Sequence, residues 1–254
     1  MSTVDLTCMS TWTDPTSSAP SNATGGPPIT DDPVADCQQY QQLAGRPPIN
    51  DPVALDYGGG LPAPLPRSPR ADGQPLRLGY VGTLMPHKGP QVAVEACRGI
   101  DPSRATLELW GGDGGAPEFA ARLRAAAGPG VSFRGSFPEG LKAEVFAGLD
   151  VLIVPSLGRE SFGLVCREAA SAGVPVLASG HSALADRLAE GCGQGFPGGD
   201  AGALRGWIER LLAQPALLDE WRRRLPARHP AASRAAEIEA VYTSVLERRA
   251  SSSS

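Results

Sequence analysis

The chain has 254 residues, of which 41% are hydrophobic and 20% are charged, and its formal net charge is −4. This composition supports a sizeable core in one large domain or two small ones, and it gives no general attraction to nucleic acid. The five cysteines are scattered and form no CxxC pair, which argues against a disulfide framework or a zinc site. No apolar stretch approaches a membrane span and no signal-peptide hydrophobic region is present, so a reducing cytoplasm is the expected compartment.

Residues 1–75 differ in composition from the rest of the chain. They are rich in Ser, Thr, Pro, Gly and Asp, and they contain breakers such as Pro27-Pro28 and Gly58-Gly-Gly60. This composition predicts an irregular, linker-like segment with little core of its own.

From residue 76 onward, short apolar runs alternate with helical patterns. The predicted strands are 76–81, 105–110, 131–134, 151–154 and 174–177, and the helices between them are 90–98, 117–127, 139–147 and 161–171. Three further helices are predicted at 201–213, 215–224 and 232–249, with a disordered tail at 250–254. The alternation predicts an α/β fold, a Rossmann-like doubly wound parallel sheet forming one domain over residues 76–249.

Two glutamates, Glu160 and Glu168, lie eight positions apart around the start of a predicted helix. They follow the buried strand 151–154, so a strand end, a short loop and a helix N-terminus converge where an open α/β sheet binds its ligand. The N–H groups and partial positive charge of a helix N-terminus suit a phosphate, and eight helical residues span roughly 12 Å. Two carboxylates could therefore hold the ends of a ligand with a central diphosphate, such as a nucleotide-sugar. The alternative is a solvated helix face.

The residues beside this pair support a phosphate site. Ser161 is expected to cap the helix, and Gly163 in its first turn costs about 1 kcal/mol relative to alanine, a cost explained by close approach of a phosphate to the backbone. The alternative is an ordinary capped helix start. Lys88, between the first strand and the first helix, is predicted as a phosphate ligand rather than a solvated loop lysine. Lysine is notable there, because the only other lysine is Lys142 in a sequence that otherwise uses arginine.

Several elements occur in the order that resembles the donor-site signature of the retaining glycosyltransferases of group 1, also called glycosyltransferase family 4. They are Pro155-Ser156, Glu160-Ser-Phe-Gly-Leu164, Glu168-Ala169 and Gly173-Val-Pro-Val176. Upstream, Gly79-Tyr-Val-Gly-Thr-Leu84 followed by His87-Lys88-Gly89 resembles the start of the family's C-terminal domain. The resemblance covers roughly residues 76–247 and implies the GT-B fold, in which two Rossmann-like domains face each other across a cleft.

The resemblance also implies a reaction. A hexosyl group would pass from a nucleoside diphosphate sugar, such as a UDP- or GDP-hexose, to a hydroxyl of an unidentified glycan, lipid or small-molecule acceptor. Anomeric configuration would be retained, and neither a metal ion nor another cofactor would be needed. Because residues 1–75 are too short and too polar to form an acceptor-binding domain, a separate N-terminal domain is an expected partner.

The resemblance assigns roles residue by residue. Glu160 and Lys88 are the implied catalytic residues, with Glu160 facing the donor sugar. The implied donor-binding residues are Gly82, Thr83, Lys88, Arg159, Ser161, Phe162, Gly163, Leu164 and Glu168, of which Glu168 would accept from the ribose hydroxyls. The family often has an arginine at the position of Thr83, and here its charge is absent or supplied by Arg159. The glycine-rich turn 111–115 fits either a turn or a position near the nucleotide base.

Alternatives stay open at this point. The chain fits a non-catalytic or split-enzyme subunit that binds a nucleotide-sugar, and a GT-B-like epimerase. Arg222-Arg-Arg224 with Arg228 is interpreted as a solvated helix face, with attachment to an anionic membrane surface as the alternative. The spacing of Ile238, Val241, Tyr242 and Val245 predicts that the last helix packs in the core.

Overall fold

The computed structural model describes residues 65, 70, 73–227 and 231–252. The chain divides into two units, Met1–Asp56 and Tyr57–Ser254, and the first lies outside the described residues, as does most of the predicted linker-like segment. The strands are β1 (Leu76–Val81), β2 (Ala105–Trp110), β3 (Val131–Gly135), β4 (Val151–Val154), β5 (Val176–Ser179) and β6 (Gly193–Phe196). The helices are α1 (Pro90–Cys97), α2 (Pro117–Ala126), α3 (Lys142–Ala147), α4 (Leu164–Ser171), α5 (Ala183–Ala189), α6 (Ala201–Ala213), α7 (Ala216–Arg224) and α8 (Ala231–Ser252).

The six strands form one parallel sheet in the order β3-β2-β1-β4-β5-β6. The sheet starts at β1 and builds outward to β3, and the chain then crosses back to place β4 on the other side of β1, where Leu78 pairs with Val151. The predicted doubly wound α/β sheet is confirmed. The strand order reverses between β1 and β4, so the carboxyl ends of these two strands border the crevice in which such sheets bind ligands.

The apolar run of β4 is explained by two cores, one on each face of the sheet. Val151 and Ile153 pack with α1 and α6, whereas Leu152 and Val154 pack with α4 and α5. Alternate residues of a strand point to opposite faces, so a strand covered on both sides needs an apolar residue at every position. All four residues of β4 are buried.

Two elements were not predicted. The strand β6 has the sequence Gly-Gln-Gly-Phe, which carries no β-branched residue, and it pairs with β5 through backbone hydrogen bonds. The helix α5 has only seven residues. The strand β5 also begins two residues later than predicted, because Gly173–Pro175 serve as the connection from α4.

The last helix also differs from expectation. It extends through Ser252, into the predicted disordered tail. Ile238 and Tyr242 are exposed on it, so the expectation that they pack in the core is wrong, and Leu246 is exposed on the same helix. Of the helices in the described part of the chain, none combines the length and apolarity needed to cross a membrane.

An ion-pair network fastens α7 to the amino edge of the sheet. Asp150 is 1% exposed and accepts hydrogen bonds from the backbone N, Nε and Nη2 of Arg77, each at 3.0 Å, and from Nη2 of Arg222 at 3.2 Å. Arg222 also pairs with Asp219, and Arg224 pairs with Glu220. Arg222 therefore links α7 to the sheet, whereas Arg223 and Arg224 are exposed, as predicted for a solvated helix face; Arg228 lies outside the described residues.

Candidate functional site

The candidate site lies where the loops after β1 and β4 meet at the carboxyl edge of the sheet. The loop after β1 ends in a 3₁₀ turn, Pro86–Lys88, which Gly89 closes in a left-handed conformation with φ 70°. The loop after β4 docks on this turn, because the N–H groups of Leu157 and Gly158 donate to the carbonyl oxygen of His87 at 2.8 and 2.9 Å. The two loops therefore form one backbone unit across the switch point of the sheet.

Lys88 and Glu160 form an ion pair within this unit. Lys88 Nζ lies 2.8 Å from Glu160 Oε1, and Ser156 Oγ donates to the same carboxylate oxygen at 2.6 Å. The Lys88 side chain is 36% exposed and that of Glu160 18% exposed, so both can reach a ligand. The two residues predicted as catalytic, 72 positions apart in sequence, are in direct contact.

Glu168 has a cation partner that the sequence analysis did not identify. Lys142, the first residue of α3, places Nζ 2.8 Å from Glu168 Oε1 and 2.6 Å from Glu139. Burial acts to lower the pKa of Lys142, but its hydrogen bonds to the two carboxylates outweigh burial and raise that pKa. The available signal was composition, because the chain has only two lysines and each pairs with one of the two motif glutamates.

The start of α4 differs from the predicted cap. Gly163, not Ser161, is the N-cap residue, with φ 69° and no side-chain cap hydrogen bond, and the helix begins at Leu164. A Cβ at Gly163 would lie 3.1 Å from Cγ of Arg187, so crowding as well as the left-handed φ favours glycine. The first turn of a helix carries N–H groups without an intrahelical partner. An uncapped N-terminus at the switch point is suited to an anion.

Phe162 is held between two arginines. The guanidinium carbons of Arg167 and Arg187 lie 5.6 and 5.1 Å from its ring centroid, and both arginines form ion pairs with Glu190. Such contacts stabilise by about 0.5–1 kcal/mol each at partly exposed sites. The ring therefore fixes the loop that precedes α4, while Ser161, Leu164 and Arg159 are exposed around it.

The loop after β1 is shaped by its neighbours. Tyr80 donates from its hydroxyl to the carbonyl oxygen of Thr83 at 2.7 Å, and burial, with the charge of Glu160 as a smaller contribution, raises the pKa of Tyr80 well above its usual value. A Cβ at Gly111 would lie 1.9 Å from the carbonyl oxygen of Gly82, and one at Gly114 would lie 2.2 Å from Cγ2 of Thr83. The glycine-rich turn is thus required by close packing against Gly82 and Thr83. Thr83 itself is exposed.

Within the described residues, no group of three or more His, Cys, Asp or Glu side chains is arranged to hold a metal ion. The site instead combines two lysines, two carboxylates and a helix N-terminus at the switch point of a doubly wound sheet. This arrangement defines a domain suited to a ligand that carries both anionic and hydroxyl groups.

Comparison with known families agrees with a domain that binds a ligand carrying anionic and hydroxyl groups. Residues 75–214 match the family described as "Glycosyl transferases group 1". The match covers more than half of the chain, and the protein belongs to this family. The functional classification is therefore that of a glycosyltransferase domain.

Curated relatives carry related names. The chain is 34% identical over 161 residues to D-inositol 3-phosphate glycosyltransferase of Frankia alni, covering 58% of this chain and 38% of the relative. It is 32% identical over 181 residues to phosphatidyl-myo-inositol mannosyltransferase of Mycobacterium leprae, covering 68% of this chain and 47% of the relative. The chain thus spans less than half the length of either relative.

Solved structures share the fold. Anabaena Alr3699/HepE in complex with UDP and glucose superposes with a TM-score of 0.62 at 20% identity, over 67% of this chain and 49% of that one. Sucrose-phosphate synthase from Thermosynechococcus elongatus superposes with a TM-score of 0.60 at 28% identity, over 70% of this chain and 47% of that one.

Proposed function

We propose that this domain binds a nucleoside diphosphate sugar and acts as the donor half of a retaining hexosyltransferase of glycosyltransferase family 4. The observation that carries the proposal is the Lys88–Glu160 pair beside the N-terminus of α4. A cation and helix N–H groups suit a diphosphate, and a carboxylate next to them suits the hydroxyls of the attached sugar. Neighbouring structures with bound UDP and UDP-glucose support this ligand class.

Each predicted residue has a role in this proposal. Lys88 and the backbone of Ser161–Leu164 bind the diphosphate. Glu160 accepts hydrogen bonds from the sugar, and Glu168 accepts them from the ribose. Gly82 and Thr83 form the wall on the side of β1, and Arg159 offers a second cation at the mouth of the site. As the glycosidic bond breaks, charge accumulates on the leaving diphosphate. Lys88 and the N–H groups stabilise that charge, and with this pair in place we propose that transfer needs no metal ion.

The two ion pairs have a mechanistic consequence. Lys88 and Lys142 balance the charges of Glu160 and Glu168 and hold the carboxylates in position. An incoming diphosphate competes for Lys88, and the sugar hydroxyls then replace the lysine as donors to Glu160. Pre-positioned groups lose less side-chain entropy on binding, which favours affinity.

Isothermal titration calorimetry with UDP, GDP, UDP-glucose and GDP-mannose tests the proposal. We expect one of the two nucleotide series to bind, with equal affinity in the presence and absence of EDTA. Lys88→Met should weaken the diphosphate and the nucleotide-sugar alike, and Arg98→Met, which removes a cation from the end of α1, provides the control. Absence of binding by all four ligands would contradict the proposed function, and loss of binding in EDTA would contradict metal independence.

A second candidate function is a donor-binding subunit without transfer activity of its own. It is favoured by the placement of every proposed donor residue in one domain, because transfer requires an acceptor that a facing domain holds and orients against the anomeric carbon. Multiple-turnover assays with purified chain and a panel of inositol-containing acceptors distinguish the two functions. Binding of donor without transfer, restored by an added acceptor-binding domain, would support the subunit.

A further inference from the structure

A closed ring of hydrogen bonds joins the loop after β4 to the loop after β5. His181 Nε2 lies 3.0 Å from the carbonyl oxygen of Ser156, and Ser182 Oγ lies 3.3 Å from His181 Nδ1. The backbone N–H of Glu160 donates to Ser182 Oγ at 3.1 Å, and Ser156 Oγ donates to Glu160 Oε1 at 2.6 Å. The ring therefore begins and ends at Ser156 and encloses Glu160 by both its backbone and its carboxylate.

With a neutral imidazole, the chemistry of the groups gives each hydrogen bond a direction. A carbonyl oxygen only accepts, so His181 Nε2 must carry the proton that it shares with Ser156. In the neutral imidazole Nδ1 is then the acceptor, and the Ser182 hydroxyl donates to it. The oxygen of that hydroxyl still has lone pairs to accept from the N–H of Glu160. All four residues thus use their donors and acceptors in a consistent arrangement.

The backbone at Ser182 shows that the surroundings impose this arrangement. Ser182 has φ 51° and ψ −151°, and it is the one residue other than glycine with positive φ in the described part of the chain. Such a conformation costs about 1–3 kcal/mol and persists where neighbouring contacts enforce it. The imidazole of His181 is also closely packed, because a Cβ at Gly198 would lie 2.9 Å from its Cδ2 atom.

We infer that His181 and Ser182 are positioning residues that orient Glu160 toward the donor sugar. This inference rests on the proposed function, since it takes the sugar as the partner of Glu160. Lys88 neutralises the charge of the Glu160 carboxylate. The hydrogen-bonded ring instead holds the backbone N–H of Glu160 and one oxygen of its carboxylate in place. Neither His181 nor Ser182 needs to touch the ligand, so their effect should appear in the sugar-dependent part of binding.

Two substitutions of His181 separate hydrogen bonding from packing. His181→Phe keeps a ring against Gly198 and removes both bonds, while His181→Gln keeps an N–H donor and a carbonyl acceptor. With the nucleotide series that the wild type prefers, His181→Phe should weaken the nucleotide-sugar about five- to tenfold, as expected for loss of a neutral hydrogen bond, and the free diphosphate less than twofold. His181→Gln should recover most of the lost affinity. Equal weakening of both ligands, or no weakening of either, would overturn the inference.

A measurement without ligand tests the ring itself. The ¹⁵N spectrum of His181 should show the tautomer protonated at Nε2, and the amide of Glu160 should exchange slowly with solvent. Ser182→Ala and His181→Phe should accelerate that exchange at least about tenfold, while the amide of Leu204 in α6 should be unaffected. Rapid exchange of the Glu160 amide in the wild type would overturn the ring. Failure of the wild type to bind any nucleotide-sugar would instead overturn the proposed function and the ring's role in sugar binding, so the two failures are distinguishable.

Discussion

Gly89 and Pro155 are in direct backbone contact: a Cβ atom on Gly89 would lie 1.9 Å from the carbonyl oxygen of Pro155. Gly89 ends the turn that presents Lys88, and Pro155 begins the loop that presents Glu160. Only a residue without a side chain permits the two loops to approach this closely. The 2.8 Å ion pair between Lys88 and Glu160 is therefore a consequence of how two main-chain segments pack.

Replacing this glycine should disrupt the site. Gly89→Ala introduces both the strain of φ 70° and the clash with Pro155, whereas Gly99→Ala introduces the strain of φ 76° with nothing within 4 Å of the new Cβ. We expect Gly99→Ala to cost about 1–2 kcal/mol of unfolding free energy and Gly89→Ala about 1–3 kcal/mol more. Urea denaturation measures the difference, and nucleotide binding should fall in Gly89→Ala alone. Equal costs for the two variants would contradict the contact.

Substitution of the two motif glutamates should affect the affinities for different ligands. Glu168→Ala should weaken a free nucleoside diphosphate by about 1.5–3 kcal/mol, which is roughly 10- to 150-fold in Kd, because a charged acceptor for the ribose is lost. Glu160→Ala should leave free diphosphate nearly unchanged and weaken the nucleotide-sugar. Calorimetry with both ligands on both variants provides the measurement. Identical behaviour of the two variants toward the free diphosphate would show that the division of roles is wrong.

Lys142 should stabilise the folded chain through Glu168. Its pKa is raised in the folded state, so the pair contributes fully at pH values below the ordinary lysine pKa of 10.5 and loses its contribution as pH rises through the higher folded pKa. Lys142→Met should lower the unfolding free energy by about 1–2 kcal/mol, between the values for exposed and buried pairs. Urea titrations at pH 7, 8 and 9 should give the same difference. A difference that disappears between pH 7 and pH 9 would contradict the pairing.

The network at the opposite edge of the sheet should matter for stability and not for ligand binding. Asp150→Asn removes a buried charge that two arginines share and should cost about 3 kcal/mol. Asp219→Asn removes an exposed partner of the same Arg222 and should cost about 0–1 kcal/mol. Thermal unfolding ranks the two variants. A lower nucleotide affinity of folded Asp150→Asn would contradict the prediction that this edge of the sheet affects stability but not ligand binding.

Patterns local in sequence predicted most of the sheet and the two loops that form the candidate site. The run Val151–Val154 indicated a strand buried on both faces, and the spacing of Glu160 and Glu168 indicated the crevice beside it. The pairing of Lys142 with Glu168 was not predicted, because 26 residues separate them and only the folded chain brings α3 beside α4. The roles of His181 and Ser182 were not predicted from the sequence either, because their hydrogen bonds connect loops that follow different strands. The strand β6 was missed because its two glycines carry no side-chain pattern.

The lysine content of the chain has a practical consequence. Lys88 and Lys142 carry the only side-chain amines in the 254 residues, and each forms an ion pair with a motif glutamate. Among the side chains of these residues, a reagent that acylates primary amines therefore modifies only Lys88 and Lys142, and it acts as a probe directed to the site. Lys88, whose side chain is 36% exposed against 15% for Lys142, should react first. Mass spectrometry of the modified chain can then report occupancy of this crevice without an engineered label.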